Sequence, residues 1–198
     1  MLTIGLIIFI SSFAYSQETF SSKVWAFAIQ KPKDWETITK SYRDENIDKF
    51  EFSEKAQKLI MESDKGFSFL TGYRKYNPET HEGLIPGIQV AVRKKGPSAF
   101  ATFKEQILKS SNDFKKELKD FKVIEETEVE ISGKKALKAI YTFTVAMTDG
   151  QVLKARSRMY WIPRETYFFQ VSFNDGIDPE VDCSVEFDAL VKTISITR

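Results

Sequence analysis

The chain has 198 residues, with 29 Lys+Arg against 28 Asp+Glu, one Cys, one His and 14 % aromatic residues, Phe alone counting 17. One Cys excludes an intramolecular disulfide, one Cys with one His excludes a Cys/His zinc site, and a net charge of +1 gives no global attraction to nucleic acid or to an anionic membrane. The length fits one domain able to bury a core, and only 9 Gly and 6 Pro beside that aromatic share argue against disorder.

Residues 1–16 carry no charged side chain. Leu2 to Phe13 form an apolar run of signal-peptide length, too short to span a bilayer as a helix. Ala14-Tyr15-Ser16 puts small residues at the −3 and −1 positions of a cleavage site, so cleavage is expected near Ser16, leaving Gln17 first. The only positive charge ahead of the apolar run is the amino group of Met1. The expectation is a signal peptide over 1–16 and one exported domain over 17–198, periplasmic or extracellular. No transmembrane segment is expected in the mature chain. No Cys follows the cleavage site, so a lipoprotein anchor is not supported.

Val24 to Ile29 reads as a strand ending at Lys31-Pro32-Lys33, where proline removes a ladder donor. Trp35 follows as a plug at one end of the core. Residues 36–49 read as loop, and Phe50 to Phe52 as a short strand. Ser53 is placed to cap a helix over Glu54 to Ser63. Phe67 to Tyr73 is an apolar-rich strand, then a turn-rich loop holds Asn77-Pro78, His81 and Pro86-Gly87. Ile88 to Arg93 alternates, with Ile88, Val90 and Val92 on one face.

A long helix is predicted from Ser98 as N-cap. Phe100, Phe103, Ile107, Phe114, Leu118 and Phe121 recur at three, four and seven, which places them on one stripe. Val123 to Ile131 alternates Val/Ile with Glu125, Glu126, Glu128 and Glu130, and Ser132-Gly133 is a turn. Lys135 to Met147 is a strand with Leu137, Ala139, Tyr141, Phe143 and Val145 on one face. Asp149-Gly150 is a two-residue hairpin signal. The return strand, Gln151 to Ile162, puts Leu153, Ala155, Met159 and Trp161 on one face and Lys154, Arg156, Arg158 and Tyr160 on the other. Tyr167 to Asn174 alternates again. Asp178-Pro179 is the expected start of the last helix, in which Cys183, Phe187, Leu190 and Ile194 form one stripe. The fold class is therefore α+β, an antiparallel sheet with helices packed on it.

This order of elements resembles the PsbP-like and Mog-like domains. The residues that carry the resemblance are the strand ending in Lys31 to Trp35 (Lys-Pro-Lys-Asp-Trp), the Phe-rich helix Ser98 to Leu118, and the Val-Glu-Ile-Ser-Gly turn at Val129 to Gly133. The meander Leu137 to Asn174 and the final helix running into Thr193 to Ile196 complete the set. It covers nearly all of the mature chain and rests on pattern rather than a catalytic motif. The resemblance implies an α/β/α sandwich and binding to other proteins without a catalytic constellation. It carries over no site.

Candidate site residues come from the chain itself. Arg93, Lys154, Arg156 and Arg158, with Tyr160, are expected on the sheet face away from the long helix. There they form either a basic, partly aromatic patch for an anionic ligand or acidic partner, or a solvated or covered face. Tyr73, His81 and Arg156 are expected beside one cleft. His81 is the only residue able to serve as an imidazole base, and no nucleophile motif accompanies it. Cys183 reads as a small hydrophobe of its helix stripe. The four glutamates read as a soluble strand edge that discourages edge pairing rather than as a calcium site. No phosphate loop, dinucleotide turn or Cys-x-x-Cys occurs.

The reading is an exported, non-catalytic binding protein, an interaction or accessory module of the cell envelope with an unidentified envelope protein as partner. Its alternative is a small anionic or lipid-like ligand bound on the open sheet face. No cofactor, metal, nucleic acid or enzymatic activity is expected.

Overall fold

The alternating second half of the chain builds a meander whose neighbours in sequence are neighbours in space. In a computed structural model, which describes residues 18–39, 50–56, 66–96 and 98–197, the meander comprises β7 (Lys119–Ile131), β8 (Lys134–Met147), β9 (Val152–Pro163) and β10 (Tyr167–Gly176). The first half adds β1 (Thr19–Ser22), β2 (Phe27–Gln30), β3 (Glu36–Ile38), β4 (Phe50–Glu51), β5 (Phe67–Arg74) and β6 (Gly87–Lys94). Two helices, α1 (Phe100–Glu117) and α2 (Ser184–Val191), and a final strand β11 (Ser195–Ile196) complete the described elements. The expected signal segment, and the helix expected over Glu54 to Ser63 beyond its first turn, lie outside the described residues. In that first turn the Ala56 amide donates to Ser53 Oγ at 3.1 Å, the capping bond that the serine predicted.

The main sheet is antiparallel, with strand order β3-β5-β6-β10-β9-β8-β4, and β7 also pairs with β8. A second sheet has the order β1-β2-β11. The opening strand of the sequence thus serves the small sheet, not the large one. Both faces of the large sheet are covered. One carries Ile88, Val90, Val92, Tyr160, Ile162, Phe169, Val171 and Phe173, packed against Phe27 and Ile29 of β2, Ile196 of β11, and Phe187 and Leu190 of α2. The other carries Leu137, Ala139, Tyr141, Trp161 and Phe168 beneath Phe103 of α1. This is the expected α+β sandwich.

Four boundaries differ from the sequence reading, each for a local reason. The cap of α1 is Ala99 rather than Ser98, and it makes no side-chain capping bond. Leu118 leaves the helix with extended backbone at φ −97, ψ 130. Phe121 therefore sits in β7, where it reaches the same apolar layer by stacking on Tyr141 at 5.1 Å between ring centres. The β8–β9 loop has three residues, Thr148 to Gly150. Met147 N–H donates to Gln151 O at 2.8 Å, and Gly150 takes φ +87, the left-handed residue that such loops require. Helix α2 begins at Ser184, not at Pro179. The segment after Asp178 forms a turn closed by Val181 N–H donating to Asp178 O at 3.0 Å.

Candidate functional site

Strand β9 alternates, so its two faces meet different chemistry. Arg156, Arg158 and Tyr160 point toward α2. Arg156 donates from Nε to Asp175 Oδ1 at 2.9 Å and from Nη2 to Asp175 Oδ2 at 2.5 Å and Asp182 Oδ1 at 2.7 Å. Asp175 is fully buried, and its Oδ2 also accepts the Cys183 amide at 2.9 Å. Its carboxylate thus ties β10 to the segment entering α2. Arg158 is 6 % exposed. It donates to Ser184 Oγ, to Ser184 O at 3.4 Å and to Asp188 Oδ1 at 3.3 Å, and its guanidinium lies over the Phe187 ring at 5.9 Å. These arginines dock a helix; they do not form an open basic face.

The remaining expected site residues separate. Tyr73 and Tyr160, 2 % and 5 % exposed, are packed in the α2-side core, and burial raises the phenol pKa of each, that of Tyr160 to about 12. Lys154 is exposed at the far end of β9. His81 stays in its loop, stacked on Tyr76 at 4.2 Å, while its amide donates to Asn77 O at 3.0 Å. Arg93 lies on the opposite side of the sheet, with its guanidinium over Phe67 at 5.4 Å. Strand parity explains this: Ile88, Val90 and Val92 occupy the α2 side, so the odd-numbered residues of β6 face α1. The seven residues do not share a surface, since Tyr73 and Tyr160 are core residues, Arg93 is on the other face of the sheet and His81 is in a loop.

Cys183 is buried beside Lys75, whose Nζ donates to Sγ at 3.4 Å and to Glu186 at 3.2 Å. Burial, with Glu186 adding to it, pushes the thiol up to about 12. A thiol held protonated is a poor nucleophile, so Cys183 is a member of the helix stripe, as its spacing indicated. Among the described residues no group of three or more His, Cys, Asp and Glu is disposed to hold a metal, and no helix is long and apolar enough to cross a membrane.

The site that the geometry does form lies on the α1 face. Helix α1 covers only part of the sheet, and a cavity of about 360 Å³ opens between them. Its roof and one wall are mostly apolar, from Ile107, Phe114 and Leu118 of α1 and its cap and from Phe121, Phe143 and Val145 of β7 and β8, with Ser110 and Ser111 of α1 among them. Its floor is polar, from Gln89 of β6, Ser157 of β9, and Gln170, Ser172 and Asn174 of β10. Register makes that floor continuous, since Ser172 pairs with Gln89 and Asn174 with Ser157. Gln170 Nε2 donates to Ser172 Oγ at 3.4 Å. At one wall Tyr141 donates to Ser111 Oγ at 2.9 Å and also contacts Glu126, and burial pushes its phenol up to about 12, so it is neutral at any ordinary pH.

Alternation alone assigns these polar residues to no site. One signal separates them from the solvent side of a strand. The solvated strand β7 alternates with Glu and Lys, whereas the polar positions of β10 facing α1 are Gln, Ser and Asn, with no charge among them. Uncharged polar residues on a central strand mark a covered face, because burying a charge there costs far more than burying an amide or hydroxyl.

A central antiparallel sheet with helices packed on it is the arrangement that the resemblance to PsbP-like and Mog-like domains implied. The structure of LpqN of Mycobacterium tuberculosis, described as involved in cell envelope biogenesis, is similar over 94 % of this chain and 88 % of its own, with 13 % identity and a TM-score of 0.52. A protein of Bacteroides thetaiotaomicron matches 92 % of this chain at 14 % identity and a TM-score of 0.52, and this chain spans 49 % of that larger protein. The cyanobacterial PsbP of Synechocystis sp. aligns over 98 % of this chain and 99 % of its own at 10 % identity, with a TM-score of 0.49. No family model and no curated protein matches the chain by sequence. At these identities the likeness is one of fold.

Proposed function

We propose that this chain is an exported, non-catalytic binding protein of the cell envelope that holds a small lipid-like molecule in the cavity between α1 and the sheet. The observation that carries the reading is the cavity itself, about 360 Å³ and lined by aromatic and aliphatic side chains with most of its polar groups on the sheet floor. That is the usual composition of a small-molecule site. The signal-like segment 1–16 supports export. The similarity to a structure described as that of an envelope-biogenesis protein supports the compartment. An envelope protein as partner is compatible with the same fold, but the cavity favours a small molecule.

Native mass spectrometry of the mature protein, isolated from its own envelope fraction, tests this. The protein is expected to carry an apolar adduct, and Ala155→Trp, which projects an indole from the floor into the cavity, is expected to lose it while keeping the native circular dichroism. A protein that carries no adduct, and whose melting temperature no amphiphile raises, would overturn the reading.

A further inference from the structure

The cavity has two chemically distinct halves, and their arrangement constrains what it holds. The apolar half is built by α1 and β8, with Phe114 above and Phe143 and Val145 beside it. The other half is the run of amides and hydroxyls on the central strands, Gln89, Ser157, Gln170, Ser172 and Asn174. Among the described residues no carboxylate lines the cavity, and Arg93 is the one charged side chain that does. Arg93 stands four residues along β6 from Gln89, about 13 Å at the usual rise of a strand, and its guanidinium is stacked over Phe67. The Ser172–Gln89 and Asn174–Ser157 pairs therefore meet a bound molecule without a formal charge beside them.

Amides and hydroxyls both donate and accept hydrogen bonds. A head group that does the same, such as a sugar or an amide, satisfies them and is satisfied in turn. Against Ser157, Ser172 and Asn174 a carboxylate or phosphate offers acceptors alone and carries its charge to the end of the floor farthest from Arg93, and a quaternary ammonium offers no hydrogen bond at all. The apolar half has no such requirement and takes an alkyl chain, which Phe114 and Phe143 enclose. Resting on the reading above, we infer that the ligand is an amphiphile with an uncharged, hydroxyl- or amide-bearing head, its tail under α1 and its head against Ser157, Ser172 and Asn174.

Isothermal titration of the full chain with octyl β-glucoside, nonanoate and octyltrimethylammonium, each below its micellar concentration, tests the inference. The tails are identical, so any difference reports the head. Octyl glucoside is expected to bind at least tenfold more tightly than either charged amphiphile. Asn174→Leu, an apolar side chain on a half-buried floor position, is expected to weaken the glucoside at least fivefold without lowering the denaturation midpoint. Equal or tighter binding of nonanoate or of the ammonium, or a glucoside affinity unchanged by Asn174→Leu, overturns the neutral head and leaves the lipid-binding reading standing. Failure of all three amphiphiles to bind overturns both.

Discussion

Phe103 is the one fully buried residue of α1. It meets Phe168 edge-on at 5.2 Å between ring centres and is the contact that seats the helix on the sheet. Removing it leaves a hole that the neighbouring cavity can only enlarge, so Phe103→Ala is expected to cost about 3–5 kcal/mol, the usual range for a packed aromatic. An unchanged midpoint in urea would mean that another contact seats α1. Cys183 gives a second test at this scale. With its thiol at about 12, a disulfide reagent at pH 8 is expected to leave it untouched in the native protein and to react on unfolding; rapid native labelling would mean that the α2 stripe opens. The spacing of Cys183, Phe187, Leu190 and Ile194 picked out four residues of one core, although α2 itself holds only Phe187 and Leu190 while Cys183 caps it and Ile194 follows it. The fates of Arg156 and Arg158 were not legible in the same way. Alternation places them on a face, but what covers a face depends on Asp175, Asp182, Ser184 and Asp188, which local periodicity does not connect to β9.

Helix α2 is short, and the segment entering it is fixed by charge as much as by its apolar side. Burial alone would raise the Asp182 carboxyl, but hydrogen bonds from Ser184 and Arg156 outweigh it and hold the group at about 2, below its ordinary 3.8. A carboxylate lowered in this way stabilises the fold fully above the ordinary value and loses that contribution as pH falls through about 2. The denaturation midpoint is therefore expected to decline between about pH 4 and about pH 2, and Asp182→Asn is expected to be flatter across that window; parallel profiles would remove Asp182 from the account. The adjoining turn is also tight, since a Cβ on Gly176 would stand 2.3 Å from Val181 Cγ2. Gly176→Ala is expected to cost about 1–3 kcal/mol, as overpacking does, and a neutral result would show that Val181 yields. The Phe stripe of α1 was legible as a stripe but not where it ends. Leu118 and Phe121 fit the helical period and yet belong to the turn and to β7, because a strand leaving the helix at this point also delivers Phe121 to Tyr141. Two different backbones satisfy one apolar requirement there.

At the scale of the whole molecule, the sandwich was readable because its meander is local in sequence: β7 to β10 pair in order, and each alternates. The cavity was not, because it arises from a mismatch of sizes. Among the described residues α1 leaves part of its face of the sheet uncovered, and no residue pattern along the chain records that difference. Its floor left only the faint trace described above, amides and hydroxyls where a solvated strand would carry charge. The central claim is that this gap is a binding site. Met159 lines it, whereas Met147, at the end of β8, does not. Methyl NMR of the 13C-methionine protein titrated with octyl β-glucoside reads both positions at once. The account predicts that the Met159 methyl shifts with a saturable dependence while the Met147 methyl stays in place, and a saturable shift at Met147 with Met159 unmoved would contradict it.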